Sequence, residues 1–252
     1  MPNHVTNELT CELKSTLDSL AGPEPERLVD FNTVVPMPES MLCDVTEVAK
    51  DWALIALGMV NLKTLAKVHP DAGDSFRSGN YGAAADALKQ FNMTRMMSEG
   101  PFPKDFTDED FESVIQCMRN VRLYGYVSWL EFACEKWGTK WNAYDSKRIS
   151  DTKVEFQTAW SAPLRWLDAL SVKCPLETFR LRWADEDFGC NVGDVTVRNG
   201  EVLKGGPLSN NTPESHALAI ELIHGGVLPP EYKMVDGLCV YVEDEEKAEV
   251  GQ

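Results

Sequence analysis

Residues 137–160 read WGTKWNAYDSKRISDTKVEFQTAW, and the fold turns on how this stretch is divided. It holds Trp137, Trp141 and Trp160, three of the chain's seven tryptophans, and ends in one clear strand. In that strand, KVEFQTAW, the residues Val154, Phe156, Thr158 and Trp160 share a face by the period of two. The groups ahead of it, Trp137, Lys140, Trp141, Asn142, Tyr144 and Asp145, form a set able to stack on a flat ring and hydrogen-bond its edge. The plainer reading makes the tryptophans core or interface aromatics, with Gly138 and Asn142-Ala143 as the turn into the strand.

Downstream, SAPLRWLDALSVKC reads as a helix capped by Ser161, with Pro163 in its first turn and Leu164, Leu167 and Leu170 facing the core. TFRLRWADE is a strand with Phe179, Leu181 and Trp183 inward and Arg180 and Arg182 outward. VGDVTVRNGEVLKGG is the clearest hairpin signal, because Asn199-Gly200 suits a two-residue type I′ turn. A proline-started helix, TPESHALAIELIHGG, and a last strand, GLCVYVED, follow, and the tail 243–252 reads as frayed.

Upstream, residues 4–13 alternate Val5, Asn7, Leu9, Cys11 and Leu13 against polar neighbours, the pattern of a half-buried strand. A short helix from Lys14 to Leu20 ends at Gly22, Pro23 and Pro25. LVDFNTVV at 28–35 reads as a second strand, closed by Pro36 and Pro38. From Ser40 the pattern becomes helical: Val45, Val48, Trp52, Ile55 and Met59 follow an Asp44 or Thr46 cap, and 81–97 is rich in helix formers. Residues 100–106 form a loop, and Thr107 with Asp110 opens a further helix with a capping-box-like start. Without 40–135 the order is strand, helix, strand, strand, helix, strand, hairpin, helix, strand. Its first six elements are the split β-α-β order of ferredoxin-like folds. The expected architecture is α+β: an antiparallel ferredoxin-like sheet with helices on one face, from 1–39 and 136–252, and an inserted helical subdomain over 40–135.

The 252-residue chain is 43% hydrophobic and 25% charged, an ordinary globular composition, with a formal net charge of −16. Its acidity sits at the ends, about −5 over 1–39 and about −9 over 151–252, against about −2 over 40–150. Such a balance repels phosphate backbones and anionic membrane surfaces, so nucleic acid and membrane are disfavoured as partners. The seven cysteines lack a CxxC pair or a histidine at zinc-ligand spacing, which reads as reduced thiols in the cytoplasm. MPNHVTNELT shows no basic segment followed by an apolar stretch and no run approaches the length of a membrane span, so cytoplasmic residence is expected.

Five ordered segments, MPNHVTNELT, DFNTVVPMP, WGTKWNAYD, FQTAWSAP and ADEDFGCNVG, together resemble the YubB ferredoxin-like family of unknown function. That family is found on bacterial plasmids, integrative elements and phages. The resemblance covers both ends of the chain and skips the helical middle. It implies a ferredoxin-like fold and a mobile-element setting in a bacterial host, and it implies no settled activity. "Ferredoxin-like" names a topology here, since the cysteine spacing does not suit an iron–sulfur cluster.

Little else in the chain points to chemistry. ADEDFGCNVGD offers Asp185, Glu186, Asp187, Asn191 and Asp194, oxygens suited to a divalent cation, but not in the EF-hand order, so the segment reads as an acidic turn and no metal is expected. Pro2 as a terminal imine base would need an apolar pocket, and polar Asn3 and His4 follow it. The four histidines, at 4, 69, 216 and 224, sit in no nucleophile motif, and no phosphate loop occurs. No cofactor is expected. The favoured function is a non-enzymatic acidic interaction module that binds a host or competing-element protein, in the manner of a counter-defence factor. The alternative is a small-ligand or nucleotide binder, enzymatic or not, with a planar ligand on Trp137 and Trp141. Direct nucleic-acid binding by the sheet ranks last.

Overall fold

The computed structural model describes residues 3–43, 45–57 and 106–242, with 74, 75, 77–80, 82, 83 and 86 between them. Pro2, the alternative cap Asp44, Met59, most of the helix over 81–97, loop residues 100–105, His69 and the tail 243–252 lie outside the described residues. The chain divides into two compact units, one of Met1–Met37 with Phe132–Gln252 and one of Pro38–Glu131.

The first unit is built on a six-stranded sheet of β1 (His4–Thr10), β2 (Tyr144–Ser150), β3 (Lys153–Ala159), β4 (Phe179–Asp185), β5 (Gly193–Arg198) and β6 (Glu201–Pro207). The strand order is β2-β3-β1-β4-β5-β6, and every pairing is antiparallel. β1 lies between β3 and β4, so β3 separates β1 from β2 and β1 separates β3 from β4. This is the double split β-α-β arrangement of the ferredoxin-like fold.

One strand of that fold is not where the alternation placed it. Residues 28–35 form no strand; Phe31–Thr33 is a single 3-10 turn. Asp30 accepts from the Asn32 backbone N–H (2.9 Å), and the Phe31 N–H donates to the Asn142 side chain (2.8 Å). With these groups satisfied by side chains, the segment has no need of a ladder. Phe31 is instead a fully buried plug whose ring lies 4.8 Å from Trp166, 5.6 Å from Trp137 and 6.1 Å from Phe156. The missing strand is β2, in the segment that feeds β3.

On the core face, Val5, Leu9, Val154, Phe156, Phe179, Leu181 and Trp183 are buried, and helix α5 (Leu164–Lys173) adds Trp166, Leu167 and Leu170. Two details of α5 differ from expectation. Ser161 does not cap the helix: its hydroxyl donates to the Gly138 carbonyl (2.6 Å). Leu164, in the first turn, is exposed. Helix α6 (Pro213–His224) lies beyond the β-α-β-β-α-β order and covers part of the opposite face, an addition to the one-face arrangement. Ala219 and Leu222 pack there with Ala184, while Arg182 on β4 donates to Glu8 on β1 (2.8 Å) and Glu221 on α6 (2.7 Å). The Asn199-Gly200 turn has positive φ at both residues, as type I′ requires. A two-stranded ribbon, β7 (Tyr232–Val235) and β8 (Leu238–Tyr241), follows α6. The short α1 (Lys14–Asp18) buries Thr16 and Leu17.

In the second unit, α2 (Glu47–Ala56) starts where the Thr46 hydroxyl accepts the Ala49 N–H (3.1 Å). It packs against α3 (Asp108–Tyr124), which opens with the reciprocal Thr107–Asp110 capping box. Ala49, Ala53, Val114, Cys117 and Val127 make the core there. Helix α4 (Trp129–Lys136) runs across the division between the units.

Candidate functional site

The WGTKWNAYD segment divides by burial. Trp137 is 4% exposed, its indole N–H donates to the Val35 carbonyl (2.9 Å), and its ring meets Phe31 and Phe132 edge-on. Asn142 accepts from the Phe31 and Ala143 N–H groups and donates to Asp30 (2.7 Å). Trp137 is thus packed into the core, and Asn142 ties the Asp30–Phe31 turn to the start of β2. Gly138 has φ +85°, and a Cβ there would meet the Arg165 amide nitrogen at 3.2 Å, so any side chain would strain the chain where it re-enters the sheet.

Thr139 and Ala143 are buried as well, but Trp141 and Trp160 stay at the surface. Trp141 is 37% exposed and Trp160 46%. The Lys140 ammonium lies 5.1 Å from the Trp141 ring centre and 4.5 Å from that of Trp160, within cation–π reach of both. Tyr144 meets Trp141 edge-on at 6.1 Å. Its hydroxyl donates to the Thr158 carbonyl (3.2 Å) and, having one proton to give, accepts from His4 Nδ1 (2.6 Å). Partial burial, then the negative charges of Asp145 and Glu186, push the Tyr144 phenol above its usual pKa, so it stays a neutral hydroxyl.

Trp160 does not continue the β3 face. Its φ of +76° turns it out of the strand, a conformation rare for a bulky residue. Its N–H donates to the Asn3 carbonyl (3.0 Å) and its carbonyl accepts from the Asn191 amide (3.1 Å), so the residue before β1 and the loop after β4 hold its backbone from two sides. Pattern reading placed Trp160 in the strand and missed this role.

The acidic turn has a structural use. Asp185 is buried; one carboxylate oxygen accepts from the Asn3 side chain and the Asp187 N–H, both at 3.1 Å, and the other accepts from Asn191 (3.0 Å). Asn191 reaches this position at φ +48°, and Asp187 is exposed. Among the described residues no group of three His, Cys, Asp or Glu is placed to hold a metal ion. The fold thus brings Lys140, Trp141, Tyr144, Asp185, Asp187 and Asn191 to one end of the sheet, where β1 and β2 start and β3 and β4 finish. Trp137 supports that end from inside, and half-buried Asn142 ties it to Asp30 and Phe31.

A family model described as a ferredoxin-like domain in Api92-like protein matches residues 136–217, about a third of the chain. That span runs from the end of α4 into α6 and includes Trp141, Trp160, Asp185 and Asn191. It agrees with the ferredoxin-like fold and does not carry the YubB name. Among solved structures the chain is similar to protein api92 from Yersinia pseudotuberculosis, at 11% identity, a TM-score of 0.36, and coverage of 84% of this chain and 100% of that one. No curated protein matches.

Proposed function

We propose that the chain is a non-enzymatic binding module that docks a basic protein on the rim formed by Trp141, Tyr144 and Trp160. One observation carries the reading: Trp160 is half exposed yet held at positive φ by two hydrogen bonds. A bulky residue in that conformation is strained by roughly 1–3 kcal/mol, and burial gives little back for an indole this open. Strain kept where packing does not reward it is found at recognition sites. Tryptophan and tyrosine also dominate the centres of protein interfaces.

Charge supports the choice of partner. The net charge of −16, with Asp145, Glu186 and Asp187 exposed at the rim, favours association with a basic surface and speeds encounter. The five YubB-like motifs support a mobile-element setting in a bacterial cytoplasm, where such a module would engage a host or competing-element protein as a counter-defence factor. No helix among the described residues is long and apolar enough to cross a membrane.

Affinity capture from a bacterial host lysate tests the reading, with wild type run beside a Trp141→Ala/Trp160→Gly double variant. We expect a basic protein retained by wild type and lost by the variant. Identical capture by the two would remove the rim as the docking surface.

A further inference from the structure

The two exposed indoles of the rim are not equivalent to scattered surface aromatics, because a cation already lies between them. Lys140 places its ammonium 4.5 Å from one ring centre and 5.1 Å from the other. Among the described residues no carboxylate pairs with that ammonium, although the chain carries 40 acidic side chains against 24 basic ones. The Trp160 backbone is held by its hydrogen bonds to Asn3 and Asn191, and the Trp141 ring meets Tyr144 edge-on. Lys140 is fixed only at its backbone, whose N–H donates to the Ala159 carbonyl (3.3 Å). Its side chain makes no hydrogen bond or ion pair among the described residues, so displacing the ammonium breaks only the two ring contacts.

We propose that Trp141 and Trp160 form a two-walled cage for an arginine side chain of a basic partner segment, with Lys140 as the resident occupant displaced on binding. The proposal rests on the rim being the docking surface. Arginine fits better than lysine because its flat, weakly hydrated guanidinium stacks on indole while its N–H fork can pair with a carboxylate. Asp145 and Glu186 are close enough to act electrostatically on Tyr144, which borders the cage. Self-occupancy lowers the apparent affinity for single cations, so only a partner that also uses the surrounding rim displaces the lysine readily.

The test uses the full chain and two peptides, acetyl-Gly-Arg-Gly-Arg-Gly-amide and its citrulline counterpart, which has the same shape without charge. In the free wild-type protein the Lys140 ε-methylene protons should resonate upfield of ordinary lysine, shielded by the indoles, and return downfield as the arginine peptide is added. Tryptophan emission should show Lys140→Gln binding that peptide about two- to fivefold more tightly than wild type. Trp160→Gly should lose the saturable response, and the citrulline peptide should give none. An unshielded Lys140, equal or weaker binding by Lys140→Gln, or equal binding of the citrulline peptide overturns the cage. If lysate capture still depends on Trp141 and Trp160 in that event, the docking rim stands and only the cage falls.

Discussion

At Trp160 two local terms oppose each other, and substitution separates them. Alanine removes the indole but keeps a Cβ at φ +76°, whereas glycine removes both. Since a left-handed backbone disfavours a Cβ by about 1–2 kcal/mol, Trp160→Gly should be more stable than Trp160→Ala by about that amount in urea unfolding. An alanine variant as stable as the glycine one would show that the positive φ is not strained, and the main argument for a displayed tryptophan would go with it. Trp137, only a few residues from Trp141, shows why aromatic density alone misleads. Both lie in one motif, but the first closes the core and the second faces solvent.

At the scale of elements, the β7–β8 ribbon is tied to α6 through one histidine. His216 is buried, and its Nδ1 accepts the Cys239 N–H (3.0 Å), which requires a neutral imidazole. A Cβ on Gly189 would lie 2.3 Å from His216 Nε2, so the ring is seated directly on the loop after β4. Burial lowers the His216 pKa below its ordinary 6.5, with Asp187 opposing. Because the folded state resists the proton that the unfolded state accepts, this stabilisation is complete above 6.5 and declines as pH falls from 6.5 through the lowered folded value. Urea midpoints measured from neutral to mildly acidic pH should fall for wild type and fall less for His216→Gln. Parallel curves would show that the imidazole stays neutral for another reason, or not at all.

Elements with a buried face and a strong local signal were legible in the sequence: β1 and β4 from their alternation, the Asn199-Gly200 hairpin from its turn, α3 from its capping box. β2 was not, because YDSKRIS forms an edge strand with mostly exposed or half-exposed residues and therefore no apolar alternation. LVDFNTVV had the apolar content of a strand and became a plug, since side chains of Asp30 and Asn142 supplied its hydrogen bonds. The rim was half legible. Lys140, Trp141 and Tyr144 were drawn from one segment and Asp185, Asp187 and Asn191 from another, but their meeting depends on the β3-β1-β4 order, which no local pattern encodes.

At the scale of the whole molecule, the ferredoxin-like unit accommodates a long excursion between residues 37 and 132. The Val35–Trp137 hydrogen bond holds the chain leaving that unit beside the chain returning to it, so the inserted segment need not disturb the sheet. We propose that this segment folds as a subdomain of its own and that the sheet unit carries recognition. That claim is tested most directly by placing the photo-crosslinking residue benzoylphenylalanine at position 141, or at exposed Ile149 near the opposite end of β2, in the full chain expressed in a bacterial host. The account predicts a discrete adduct with a basic protein from position 141 and none from 149. Adducts of equal yield from both positions, or from 149 alone, would contradict it.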